Sequence, residues 1–177
     1  MIDATPAAAI RPAATVVLLR DGVDGLETWM LRRVRQMAFA GGMSVFPGGA
    51  VDISDAAAEV PWVGDEPIAV AAQFDCSVAE ARASLVAATR ETFEETGVLL
   101  TRPLPSGAAF SAAALSEVRR AVETRETDFA TLLVDAGLSV DATLIRPWAH
   151  WITPPIESRR FDTFFYVALL PEGVAAQ

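Results

Sequence analysis

Lysine is missing from this 177-residue chain. All 14 basic residues are arginines, they face 23 aspartates and glutamates, and the net charge is −9. Together with the wealth of alanine, the missing lysine reads as coding bias and carries no chemistry. The charge balance does exclude something: an acidic surface repels a phosphate backbone, so a grip on a nucleic-acid polymer is not expected. Small anionic substrates stay open where a metal ion mediates. Cysteine is almost as scarce. With Cys76 alone no intrachain disulfide can form, which points to a reducing compartment, the cytoplasm. No apolar run is long enough to span a membrane. The first fourteen residues lack the basic start and continuous apolar stretch of a signal peptide, and are expected to be a frayed tail. Internal repeats and low-complexity linkers are also lacking.

What is present suffices for a core: 52% of the residues are hydrophobic and 21% are charged. The length predicts one domain, residues 15–177, with insertions at about 53–76 and 103–141. Thr15 to Arg20 form a β-branched and leucine-rich run, closed by Asp21-Gly22 and Asp24-Gly25, and Thr28 to Val34 read as the returning strand. A loop with two glycines leads to a short strand, Ser44–Phe46, and to Pro47-Gly48-Gly49. Residues 53–76 carry Pro61, Gly64 and Pro67 and are expected to hold at most short helices. Ser77-x-x-Glu80 then has the pattern of a capping box opening a long helix, and Gly97 suits the left-handed residue that closes it. Ala81, Leu85, Ala88 and Thr92 recur at helical spacing and are expected to face the core. Val98–Leu100 reads as a short strand, Ser111 and Asp128 as helix caps, and Leu144–Ile152 and Phe161–Leu170 as two late strands. The order predicts a mixed α/β layer fold.

The most informative stretch is Arg90-Glu91-Thr92-Phe93-Glu94-Glu95-Thr96-Gly97. On a helix the three glutamates fall within an arc of roughly 100°. They are near neighbours whose charges repel, and they sit where the macrodipole disfavours negative charge. Two unfavourable terms in one place call for a compensating partner, and a hard divalent cation such as Mg²⁺ is a natural one. Arg90, one turn before Glu94, can pair with it. A lone E-x-x-E-E would read as a solvated acidic face, but here it accompanies Phe46-Pro47-Gly48-Gly49 upstream.

Together these segments resemble the Nudix hydrolase signature, G-x5-E-x7-R-E-U-x-E-E-x-G-U, with U a bulky apolar residue. Arg90 to Val98 match its second half, with Thr92 at a U position. Its first half matches from Gly49, with Asp55 in place of the usual Glu. The spacing departs from the pattern, because residues 56–89, 34 in number, stand where it wants seven. An interruption at this place resembles the motif-19 branch of the family, which is associated with cleavage of coenzyme A. So do Arg32-Arg33, His150-Trp151-Ile152-Thr153-Pro154 and Arg160 to Phe165.

The resemblance implies an α/β/α sandwich with a mixed sheet and helical insertions. It implies metal-dependent hydrolysis of a diphosphate in a nucleoside diphosphate derivative, with coenzyme A or its thioesters favoured. ADP-ribose, dinucleotides or damaged nucleotides are the alternative substrates, and a non-catalytic binding module on the same scaffold is a third reading. Carried over by position, Glu91, Glu94 and Glu95 are the catalytic carboxylates and ligands of Mg²⁺ or Mn²⁺. Gly49 adds its carbonyl, Arg90 orients the glutamates, and one glutamate or a water held by it is the base. The upstream coenzyme A pattern, L-L-T-x-R-S-x3-R-x3-G-x3-F-P-G-G, is matched from Gly42 through Phe46 to Gly49 and by Arg33. Val34 and Ala38 break it. Arg33, Phe46 and Arg160 are therefore the expected substrate contacts, and Arg159-Arg160 reads equally as an exposed turn. The family continues past the strand at 161–170 with another strand and a helix. A missing last strand and helix is thus expected, leaving an open edge that favours a homodimer.

The remaining polar and aromatic residues have plainer readings. His150, the single histidine, reads as a partly buried residue holding a strand rather than as a base. Cys76 reads as a small buried hydrophobe. Trp29, Trp62 and Phe39 read as packing residues before base-stacking ones. Asp52 closes a turn or reaches a metal, and Glu80 is accounted for by its cap.

Overall fold

The computed structural model describes residues 9–32, 42–57, 59–64, 67–105, 110–171 and 173–176. Among the described residues ten strands and five helices run in the order β1 (Ile10–Gly22), β2 (Gly25–Thr28), β3 (Leu31–Arg32), β4 (Ser44–Val45), β5 (Gly48–Ala50), α1 (Ile53–Ala57), β6 (Trp62–Val63), α2 (Pro67–Phe74), α3 (Val78–Thr96), β7 (Thr101–Pro103), α4 (Ala112–Glu123), α5 (Phe129–Asp135), β8 (Leu138–Asp141), β9 (Ile145–Ile152) and β10 (Arg160–Leu169). No helix among the described residues is long and apolar enough to cross a membrane.

The main sheet is mixed, as expected. Its order is β2-β1-β10-β9, with β5 also on β1, and β1 and β10 are parallel at its centre. Strands β1 and β2 form a hairpin across Val23-Asp24, with Gly22 paired to Gly25. Alternation sorts the two faces. Ala14, Val16 and Leu18 of β1 and Phe164, Tyr166 and Ala168 of β10 are buried against α2 and α3, where Leu85, Ala88, Val70 and Phe74 complete the core. The residues between them, Thr15, Val17, Phe165 and Val167, are half-buried on the opposite face.

Several boundaries differ from the sequence reading. The returning strand of the first hairpin is Gly25–Thr28 rather than Thr28 to Val34, because the tight turn at Val23-Asp24 starts the pairing at Gly25, and Leu31–Arg32 pairs with β4 instead. The chain is already a strand at Ile10 rather than a frayed tail through residue 14, because Ile10 to Ala14 pair in register with Arg160 to Phe164. Val98–Leu100 is not a strand, although Val98 and Leu100 are fully buried; the strand begins at Thr101. The expected open last strand is also absent, since β10 lies between β1 and β9. The edge belongs to β9, so the ground for expecting a dimer at β10 falls away.

The two insertions are not peripheral. Strand β6 from the first pairs with β8 from the second, and β8 also pairs with β7. Behind them Val60, Val86, Phe93, Val122, Phe129, Leu132, Leu133 and Val140 build a second core. Helix α3 therefore lies between two apolar layers. Ala81, Leu85, Ala88 and Thr92 face the first, while Val86 and Phe93 face the second. This explains how an alanine-rich helix comes to be buried on almost all sides.

Candidate active site

Both ends of α3 are built as its sequence dictates. The Ser77 hydroxyl accepts from the Glu80 N–H, and the Glu80 carboxylate accepts from the Ser77 N–H at 2.9 Å. Gly97 closes the helix with φ 73°, where its N–H donates to the Phe93 carbonyl at 2.8 Å. Arg119, from the second insertion, donates through Nε to the Glu94 carbonyl at 2.9 Å, placing a cation at the negative end of the helix dipole.

Arg90 is only 6% exposed, and all five of its N–H groups are used. Nε and Nη2 grip Asp55 with two bonds of 2.9 Å, and Nη2 also donates to the Ala50 carbonyl at 3.0 Å. Nη1 donates to Glu91 at 2.8 Å and to Glu94 at 3.0 Å. Burial by itself would make Arg90 easier to deprotonate. The bonds to Asp55 and the charges of Asp55 and Glu91 outweigh it and hold the guanidinium charged. Asp55 is 3% exposed and also accepts from the Asp52 N–H at 2.8 Å, so it fastens the start of α1 as well. Asp52 in turn receives Arg125 at 3.1 Å.

The pair Asp55–Arg90 closes the gap in the signature. The 34 intervening residues leave from one end of this bond and return to the other. The sequence placed Asp55 at the right position without its partner, because an insertion of that length hides which residues meet.

The glycine loop completes the arrangement. The Gly48 N–H donates to Glu95 Oε2 at 2.8 Å. A Cβ at Gly49 would stand 2.3 Å from Glu91 Oε1, so the glutamate occupies the room that a side chain would fill. Burial, with the nearby charges of Glu94 and Glu95, pushes the Glu91 carboxyl up to about 7 despite the opposing pull of Arg90. Glu91, Glu94, Glu95 and Gly49 are thus brought together around Arg90, as expected.

Beside Gly48 and Gly49 opens a cleft of about 490 Å³. Thr15, Thr163 and Phe165 lie on the sheet beneath it, and Phe46, Trp151 and Phe161 supply its aromatic walls. Phe46 is therefore where a substrate contact was expected. Arg160 lies beside the cleft: its Nε donates to the Thr153 carbonyl at 3.0 Å, it lines an adjoining cavity, and its neighbour Arg159 reaches the cleft itself. Arg33 lies outside the described residues, as do Val34, Ala38 and Phe39. Trp29 and Trp62 pack against the cores and do not line the cleft. His150 stacks on Phe164 at 4.5 Å and bonds Asp162 on the α2 side of the sheet, which is the structural role foreseen for it. Trp151, Phe161 and Phe165 escaped notice as cleft residues. Strand alternation, which puts 161, 163 and 165 on one face, was the signal available.

A family model for the NUDT19 Nudix domain matches residues 65–176. The chain belongs to the Nudix family. A crystal structure of a NUDIX hydrolase from Alicyclobacillus acidocaldarius superposes with a TM-score of 0.70 at 32% identity, covering 92% of this chain and 70% of that one. Acyl-coenzyme A diphosphatase NUDT19 of Gallus gallus is 30% identical over 184 residues, covering 81% of this chain and 48% of the relative. The protein of that name from Homo sapiens is 27% identical, with 84% and 49% covered. The chain spans about half the length of the curated relatives it matches.

Hydrolases of the Nudix family use divalent metal ions. The residues present suit one: three carboxylates supply hard oxygen donors, and Gly49 leaves open a cradle that any Cβ would fill. Among the described residues no three of these acidic groups form a ready-made metal cluster. Arg90 holds Glu91 and Glu94, and the Gly48 N–H holds Glu95.

Proposed function

We propose that this Nudix domain hydrolyses a diphosphate bond in a nucleoside diphosphate derivative, with coenzyme A or acyl-coenzyme A as the favoured substrate. The observation that carries the reading is the gathering of Glu91, Glu94 and Glu95 against Gly48-Gly49, two glycines that also line an aromatic cleft, around an Arg90 locked to Asp55. The relatives named acyl-coenzyme A diphosphatase support the choice of substrate.

Glu91, Glu94 and Glu95, with the Gly49 carbonyl, are the groups to hold Mg²⁺ or Mn²⁺. When bound, such an ion neutralises charge on phosphate oxygens and lowers the pKa of a water. The protein supplies placement. Arg90 fixes two glutamates by one Nη1, and Asp55 fixes Arg90 by a two-point grip that leaves the guanidinium no freedom to turn. The Gly48 N–H holds Glu95 towards the loop. Phe46, Trp151, Phe161 and Phe165 present faces on which a base or the apolar arm of a substrate can lie.

The test is a panel of coenzyme A, acyl-coenzyme A, ADP-ribose and 8-oxo-dGTP with Mg²⁺ or Mn²⁺, each followed by chromatography. Metal-dependent release of 3′,5′-ADP from coenzyme A is the expected result. Turnover of ADP-ribose alone would replace the substrate, and turnover of nothing would leave a binding module.

The two loop glycines give a sharper expectation. A methyl at Gly49 meets only the movable end of Glu91, whereas one at Gly48 meets the Ala14 carbonyl at 2.4 Å and the Thr15 Cα at 2.8 Å. Gly49→Ala should therefore leave the melting temperature within a few degrees of the parent yet slow turnover about tenfold or more by displacing Glu91. Gly48→Ala should cost about 1–3 kcal/mol of stability, because backbone atoms must shift. Thermal melts and initial rates measured side by side check both.

A further inference from the structure

At its far end the cleft runs into a second cavity, of about 340 Å³, lined by Ala9, Arg11, Ser158, Arg159, Arg160 and Phe161. Arg159 and Phe161 line both spaces. Strand alternation makes them continuous: Arg11, Ala13 and Thr15 share one face of β1, beside Phe161, Thr163 and Phe165 of β10. Three arginines thus converge in a protein of net charge −9.

Most other arginines in the described part are neutralised: Arg20 by Glu27, Arg102 by Asp141, Arg119 by Glu123, Arg120 by Glu126 and Arg125 by Asp52. Arg11 and Arg159 have no ion pair or hydrogen bond among the described residues, and Arg160 spends only its Nε, on the Thr153 carbonyl. Asp162, the nearest acid along β10, turns to the opposite face and bonds His150. The loop that carries Arg159 is clamped at its base. The Thr153 and Phe161 backbones bond each other at 2.9 Å, and the Thr153 hydroxyl accepts from the Phe161 N–H at 3.0 Å. The backbone at the base of this loop is therefore held in place.

We infer that the Arg11–Arg159–Arg160 cavity is an anion subsite for a phosphomonoester that the nucleotide carries away from the scissile diphosphate. The inference rests on the function proposed above and extends it. Gly49 pairs with Ala14, and Arg11 lies three residues further back along β1, about 10 Å away at the rise of a strand. That is roughly one nucleoside unit, so a nucleotide whose diphosphate lies at Gly49 presents a 3′-phosphate to the arginines. Guanidinium groups, with their paired donors, suit phosphate oxygens. ADP-ribose and dinucleotides made of plain adenosine have no group for this cavity, so it would act as the selectivity filter for 3′-phosphorylated nucleotides.

The test is binding of 3′,5′-ADP and of 5′-AMP by calorimetry with EDTA present, to the parent and to Arg11→Gln/Arg159→Gln. Both side chains are exposed and free of partners among the described residues, so the variant should keep the parent melting temperature. In the parent, 3′,5′-ADP should bind about 10–100-fold more tightly, the size of one charge-assisted contact set. In the variant the ratio should fall to about one. Equal binding of the two nucleotides by the parent, or an unchanged ratio in the variant, overturns the subsite while leaving coenzyme A hydrolysis intact. A parallel assay of coenzyme A and dephospho-coenzyme A separates the two failures. If neither is cleaved while ADP-ribose is, the substrate reading itself falls and the subsite with it.

Discussion

Replacing Glu94 and Glu95 together by glutamine should reduce hydrolysis at least about a thousandfold while leaving the fold intact or slightly firmer. Metal-borne charge stabilisation is worth several kcal/mol of barrier, and each 1.36 kcal/mol is a factor of ten. The glutamines keep the shape: their carbonyl oxygens can still accept from Arg90 Nη1 and from the Gly48 N–H, the two bonds that hold the glutamates now. What goes is charge. Glu94 and Glu95 sit in the last turn of α3, near Gly97, where like charges repel and the dipole is unfavourable. In EDTA the variant should therefore melt at or above the parent temperature, and added Mg²⁺ should raise the parent's melting point but not the variant's. Full turnover in the double variant would sink the assignment of these residues to the metal.

The second large effect belongs to Asp55 and Arg90. Removing Asp55 alone, as Asp55→Ala, leaves a buried guanidinium without its two-point partner. It should cost about 3–5 kcal/mol, which for a chain of this size lowers the melting temperature by roughly 6–20 °C. The compensated change Asp55→Leu/Arg90→Met removes both charges from a site where they are 3% and 6% exposed. It should recover only part of that loss, because Glu91 and Glu94 lose the cation they share. Activity should not return with it, because Arg90 also holds Glu91 and Glu94, and methionine donates nothing. Melting and rate measurements on the two variants separate the roles. Recovery of turnover along with stability would reduce Arg90 to a packing residue.

The legibility of the site follows the range of each interaction. The capping box of Ser77 and Glu80, the closing Gly97 and the glutamates of α3 are local patterns, a few residues wide, and they stand as read. The Arg90–Glu94 pair is one helical turn and was equally visible. Asp55 with Arg90 spans 35 residues, and the signature's spacing, where it should have shown, is broken by an insertion. Arg159 and Arg160 could not be told apart for a different reason. Two adjacent arginines on a strand end look alike in sequence, and only the direction of each side chain gives Arg159 to the cleft and the Arg160 Nε to Thr153.

By itself the sequence determined the long glutamate-bearing helix, its caps, its acidic face, the glycine loop and the mixed α/β class, because periodicity, capping and turn chemistry act within a few residues. Tertiary structure decided how the insertions are used. Burying their apolar faces requires β6 to meet β8, and this puts a second core behind α3 and Arg119 at its end. It also decided where the cleft lies. Strands β1 and β10 lie at opposite ends of the chain, and parallel strands come together only through a long crossover, so the face shared by Arg11, Thr15, Phe161 and Phe165 exists only once the whole chain has folded.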